Sequence, residues 1–325
     1  MAHLTLRTIA AAERDAVLDL LAGWLDDRAF FARYFEHDPS FRDDLCFVAE
    51  IDGRLVSTLQ VLRKRVRVDG AVLEVAALGN VYTAPVARTG GIASALLERA
   101  LAAMPAHGFD ASLLFASKLD FYAHFGWRSV QRRLSFIAAA PADAPAPAGV
   151  ESFDAARDLD AVMAVYQAHS GPLAGATVRD AAYWRGQLQY AGNPGEHFLV
   201  TRRDGQVVAY ARAAALYDFN VITEHGCLPG HADALAVLLT HQIERAGALP
   251  GTLAQLVPDP GLDQALTARG FTVRTVDDPS AMWRVVDAER LAAKLRIAVQ
   301  RVQRDDFFSE LLPKAASRYW LADRF

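Results

Sequence analysis

The stretch "VYTAPVARTGGIASALLERAL", Val81 to Leu101, holds the reading of this chain. It starts as a β-branched and aromatic run and is stopped by Pro85. It then passes through Arg88 and the adjacent Gly90 and Gly91 into an apolar-periodic helix expected over 91–104. A helix N-terminus presents unpaired N–H groups and the positive end of the macrodipole, which together favour an anion such as a phosphate. Glycines there permit a tight turn and let phosphate oxygens approach the backbone, and Arg88 can add a charge-assisted contact. Taken alone, paired glycines are better explained by an ordinary strand-to-helix turn. A P-loop is excluded because G-K-[ST] is missing, and a dinucleotide fingerprint because the third glycine and the later acidic residue are missing.

The totals narrow the classes. At 325 residues the chain exceeds one ordinary domain, so two domains are expected, with ample length for a large core. Its formal charge of −4 comes from well-mixed acids and bases, which argues against a nucleic-acid surface or a polybasic membrane anchor and for a small or weakly charged partner. The two cysteines, Cys46 and Cys227, form no C-x-x-C, so neither a disulfide framework nor a thiolate zinc site is expected; both read as small buried hydrophobes. The N-terminal "MAHLTLRTIAAAERDAV" meets charge too early for a signal peptide, and no run approaches the roughly 18 apolar residues of a membrane span. A soluble, cytoplasmic protein is expected.

One segment breaks the composition. "AAAPADAPAPAG", 138–149, alternates proline with small residues and reads as an extended linker. The two sides of it look alike. "CFVAEIDGRLVSTLQVL" (46–62) and "FLVTRRDGQVVAYARAA" (198–214) are hairpins turning at Asp52-Gly53 and Asp204-Gly205. Each half continues into a helix (91–104, 232–246), a short apolar strand (111–116, 251–257) and a short helix ending in glycine plus an aromatic, "FYAHFGW" (121–127) or "ALTARGF" (265–271). A duplicated domain explains this. At the place of the opening stretch the second copy has "EHGCLPGHADALAVLL" (224–239), with no arginine before paired glycines, so the chemistry is expected before the linker.

Arg88-Thr89-Gly90-Gly91-Ile92-Ala93 resembles the R/Q-x-x-G-x-G/A pyrophosphate motif of the GNAT superfamily of acetyl-CoA-dependent N-acetyltransferases, with Ala93 for the commoner last glycine. Residues 78–83 resemble that superfamily's splayed strand, and "FYAHFGW" its later aromatic-glycine motif. The layout is similar to Eis-like acetyltransferases, in which a third domain follows; only about 40 residues follow Asp287 here, too few for that domain. The resemblance implies an α+β (mixed α/β) chain of two tandem GNAT folds, each a mixed central sheet flanked by helices. Along the chain it gives a catalytic domain over 1–137, the linker over 138–149, a degenerate second domain over 150–286 and a C-terminal helix and tail over 287–325.

The resemblance further implies acetyl-CoA as co-substrate, no metal, and a small-molecule or peptide amine as acceptor, with assembly into homo-oligomers left open. Val81, Tyr82, Thr83, Arg88, Thr89, Gly90, Gly91, Ile92, Ala93, Ser94 and Ser117 are the expected cofactor-binding residues. Tyr122 stands where many members hold a tyrosine that protonates the coenzyme A sulfur, and a phenol with a reference pKa near 10 can donate at neutral pH. In Eis-like enzymes the terminal carboxylate enters the first domain's active site, which makes Phe325 the second catalytic candidate. Glu36, His37 and Asp38, in an expected loop, are alternative bases. A helix from Asp287 to about Arg304 is expected to carry the tail back. The competing readings are an acyl-CoA-binding regulatory protein without chemistry, and a tandem acyltransferase of the mycothiol-synthase or peptidyltransferase type.

Overall fold

The computed structural model describes residues 3–138, 149–190, 196–216, 219–245, 249 and 251–324. Most of the linker therefore lies outside the described residues. Strands β1 (Leu4–Thr8), β2 (Cys46–Ile51), β3 (Arg54–Val68), β4 (Ala71–Thr83), β5 (Ala111–Phe115) and β6 (Arg128–Ser129) belong to a first seven-stranded mixed sheet. With them come helices α1 (Arg14–Leu25), α2 (Arg28–His37), α3 (Ile92–Ala103) and α4 (Leu119–His124). The second seven-stranded sheet holds β7 (Arg132–Ala138), β8 (Val150–Ser152), β9 (His197–Arg203), β10 (Gln206–Leu216), β11 (Phe219–Cys227), β12 (Thr252–Ala254) and β13 (Thr272–Asp278). Its helices are α5 (Ala155–Ser170), α6 (Ala181–Tyr190), α7 (Ala232–Arg245) and α8 (Pro260–Ala268).

Local chemistry sets these elements. Asp52 and Gly53, and again Asp204 and Gly205, both take positive φ, the backbone of a two-residue turn whose twist matches its strands. Asp27, Asp154 and Asp259 cap α2, α5 and α8 by accepting main-chain N–H bonds in the first turn. On α3, Ile92, Leu96, Leu97 and Ala100 form one buried stripe against the sheet, packing with Leu59, Val61 and Leu78.

Sheet membership crosses the linker. Strand β7, which precedes it, pairs with β12 and β13 in the second sheet and buries Ile137 there. Strand β14 (Ala281–Val285) returns to the first sheet and lies antiparallel between β5 and β6, burying Ala281, Met282 and Trp283. Each sheet is thus completed by a strand from the other side of the linker.

The expected helix from Asp287 to about Arg304 does not form as one piece. α9 (Ala288–Leu295) starts on the Asp287 cap and stops where Arg296 takes a left-handed conformation; α10 (Val299–Val302) and α11 (Phe307–Leu311) follow as short pieces. All three pack on the core around Leu73, Val75, Leu113 and Trp283. Arg290 and Lys294 of α9 hold the buried Asp110 at 3.1 and 2.6 Å, pinning the segment to the first sheet. Cys46 is buried as expected, but Cys227 is only half-buried.

The two halves also meet where α6 passes the end of α2. An added Cβ at Gly186 would overlap the His37 carbonyl oxygen and stand 3.0 Å from Pro39 Cδ. Gly186→Ala should therefore destabilise the protein by about 1–3 kcal/mol, the usual scale of overpacking. The check is a lowered denaturant midpoint with an unchanged slope; an unchanged midpoint would mean that this seam is not tight.

Candidate active site

Strands β4 and β5 run parallel only from Val75–Ala111 to Ala77–Leu113 and then part. β4 continues six residues to Thr83, its other edge still paired to β3 through Ser57–Thr83, so its edge toward β5 is open. A bulge opposite Leu59, with Asn80 at φ +50°, turns the strand at this point. Asn80 Nδ2 donates to Gln60 Oε1 at 2.8 Å, and Ser57 Oγ donates to the Tyr82 carbonyl at 2.9 Å, so the bent strand is braced from β3.

The parting leaves a cleft of about 710 Å³. Eight of the residues singled out in the sequence line it: Val81, Tyr82, Thr83, Arg88, Thr89, Ala93, Ser117 and Tyr122. Gly90 and Gly91 lie in the exposed loop just before α3, and Ser94 is half-buried in its first turn. Ile92 is 7% exposed and turns its side chain into the core, leaving only its main chain for the loop. Phe325 lies outside the described residues. Arg324, one residue earlier, stacks its guanidinium 4.4 Å from the ring centroid of Phe115, which lines the cleft.

At one end of the cleft the backbone is arranged for an anion. Thr89 at φ +70° and Gly91 at φ +72° alternate the chain direction, so successive N–H groups can point into one concavity. α3 starts there with no side-chain cap and no acidic residue in its first turn. Nothing lies within 4 Å of a Cβ built at Gly91. Arg88 is held by Nε donating to the Thr83 carbonyl at 3.0 Å and by stacking 5.9 Å over Tyr82, while among the described residues its Nη atoms have no partner. Such a cradle fits a diphosphate, and the open β4 edge fits an extended amide chain added like a strand.

At the other end Tyr122 projects from α4. Gly126 at φ +90° ends that helix and lets Trp127 turn fully into the core, where it meets Tyr122 edge-on at 6.2 Å. Phe121 holds Tyr122 from the other side at 5.0 Å. Burial pushes the Tyr122 phenol up to about 12, because the phenolate would be desolvated, so the group is protonated at neutral pH.

The alternative bases Glu36, His37 and Asp38 do not line the cleft. Glu36 and His37 end α2, with the Glu36 side chain 74% exposed. Asp38 is buried; it accepts from Ser40 and pairs with Lys64 at 2.9 Å, so it serves the structure. The sequence reading missed Trp24, Asn80, Phe115 and Lys118, all of which line the cleft. Trp24 is 48% exposed and stacks on Tyr82 at 6.2 Å, the two ring planes nearly parallel.

Residues 5–130 match the family model described as an acetyltransferase (GNAT) domain. No curated protein matches the chain in sequence. Among solved structures, a probable N-acyltransferase from Enterococcus faecalis is similar, with TM-score 0.70, 16% identity, and coverage of 90% of this chain and 75% of that one. A GCN5-related N-acetyltransferase from Anabaena variabilis gives TM-score 0.65 at 14% identity, covering 88% of this chain and 73% of that one. The Eis protein of Mycobacterium abscessus gives TM-score 0.59 at 18% identity, covering 90% and 76%. These likenesses place both halves in a tandem arrangement of the same fold. Among the described residues no group of three or more His, Cys, Asp or Glu is placed to hold a metal ion, and no helix is long and apolar enough to cross a membrane.

Proposed function

From the match of residues 5–130 to a GNAT acetyltransferase domain, we propose that the chain is an acyltransferase that moves an acetyl group from acetyl-CoA to the amine of a small molecule or peptide. The observation that carries this is the cleft between β4 and β5, bordered by an anion cradle at Thr89–Gly91 and lined by a protonated phenol, Tyr122. The diphosphate of the cofactor rests on the cradle and Arg88, and pantetheine runs along the open edge of Val81–Thr83.

The neutral amine attacks the thioester carbon. Main-chain N–H groups near the β4 bulge stabilise the oxyanion, and the C–S bond then breaks. The departing thiolate takes the Tyr122 proton, and the proton lost by the amine restores the phenol, leaving an amide and free coenzyme A. The Phe325 carboxylate is proposed to orient the amine or to relay its proton. A carboxylate has too low a reference pKa to take a proton directly from an ordinary ammonium, so orientation is its larger contribution.

Transfer is tested by measuring free coenzyme A release with a panel of amines. Amine-dependent release supports the reading, whereas tight acetyl-CoA binding with no release for any amine favours an acyl-CoA-binding regulator. Stoichiometry is a separate check. The second half has Pro229-Gly230-His231 before α7 in place of the arginine and paired glycines. Calorimetry should therefore give one acetyl-CoA per chain, and two equivalent sites would refute the assignment to the first half.

A further inference from the structure

A chain of buried charges joins the two halves through the C-terminal segment. Asp323 is fully buried; its carboxylate accepts from Arg179 Nε at 2.9 Å and Nη2 at 2.8 Å, from the Tyr183 hydroxyl at 2.9 Å and from Gln187 Nε2 at 3.1 Å. On one side, Arg179 also grips Glu224 of β11 at 3.0 and 2.5 Å, and the Tyr210 hydroxyl donates to the same carboxylate at 2.6 Å. On the other, the Tyr183 hydroxyl accepts from Lys64 Nζ of β3 at 3.3 Å, and Lys64 pairs with Asp38 at 2.9 Å. Lys64, Asp38, Glu224 and Asp323 are each no more than 4% exposed.

Apolar contacts alone already bury the segment. Trp320 is fully buried, donates to Ser170 Oγ at 3.0 Å and meets His225 at 4.9 Å, and Tyr319 packs 5.5 Å from Phe115. Hydrophobic burial is non-directional, however, and says little about register. A buried ion network is directional, and its desolvation makes it a poor source of stability, so its use is better sought in specifying one arrangement. What it specifies is the place of the next residue. Arg324 follows Asp323 directly and lies over Phe115, at the point where β5 leaves β4 to form the cleft.

We propose that Asp323 is a positioning residue: anchored by Arg179, Tyr183 and Gln187, it fixes the C-terminal segment against Phe115, so that the second half shapes the acceptor side of the first half's cleft. This rests on the reading of that cleft as an acyl-transfer site. Asp323→Asn turns an amide toward Arg179 and removes the charge, while Tyr183→Phe keeps the ring and removes the hydroxyl that donates to Asp323 and accepts from Lys64.

Both variants should lower kcat for acyl transfer by about 10- to 100-fold, the scale of a misplacement near 1 Å. The acetyl-CoA dissociation constant should stay within about twofold. Hydrogen exchange should rise at 319–324 and at 114–118, a readout independent of activity, and if Asp323→Asn fails to fold, Tyr183→Phe carries the test. Faster exchange at both segments with a wild-type protein inert to every amine would support the positioning while ending the acyl-transfer reading. Unchanged exchange and unchanged kcat in an active, folded Tyr183→Phe protein would overturn the positioning and leave the acyl-transfer reading standing.

Discussion

Replacing Tyr122 by phenylalanine should slow acyl transfer by about 10²–10⁴-fold, the range of a lost general acid, while acetyl-CoA affinity stays within about twofold. The substitution removes one oxygen and keeps the ring contacts to Phe121 and Trp127 that hold the side chain over the cleft. The raised pKa of about 12 bears on the pH dependence. A phenol shifted upward keeps its proton up to about that value and loses it above, so no alkaline fall in rate assigned to Tyr122 should appear between pH 7 and 10. The same burial that disfavours the phenolate also disfavours the departing thiolate, so donation from a weaker acid stays matched to its acceptor. A Tyr122→Phe protein within about twofold of wild type would reduce Tyr122 to a packing residue.

Gly91→Trp should abolish acetyl-CoA binding under calorimetric conditions that saturate the wild-type protein. Gly91 sits at φ +72°, where an L side chain costs about 1–2 kcal/mol. Its built Cβ meets nothing within 4 Å, so the substitution starts from open space in the exposed loop and the fold is expected to survive. The indole instead fills the space in front of the α3 N-terminus and blocks a diphosphate from the N–H groups. Gly53 supplies the control, being at φ +81° with equally open surroundings in the hairpin turn between β2 and β3. Gly53→Trp carries a similar backbone strain and should leave affinity unchanged. Equal affinity in Gly91→Trp and wild type would remove the anion cradle from the site.

Much of the molecule could be read from short windows of sequence. The Asp-Gly turns impose positive φ on two adjacent residues and so declare their hairpins. The 92–100 stripe of α3 declares a helix with one buried face, and the glycines before it declare an uncapped N-terminus. In each case the deciding interaction lies within a few residues, where steric restriction of φ and ψ and side-chain periodicity act directly. The family resemblance carried by these windows picked out eight residues that line one cleft.

Other features depend on partners far along the chain. Nothing within 132–138 or 281–285 shows that each forms a strand in the sheet of the opposite half. Apolar and charged periodicity after Asp287 reads as one helix, whereas packing of three short pieces on the first core breaks it at Arg296. Asp38 reads as a loop acid and a candidate base; its burial is matched by Lys64 at 26 positions' remove, itself tied to Tyr183 at 119. Period, turn chemistry and capping are local and so belong to the sequence. Sheet membership, the burial of charge and the meeting of Phe115 with the C-terminal segment are set by the free energy of the whole core, and only the tertiary structure decided them.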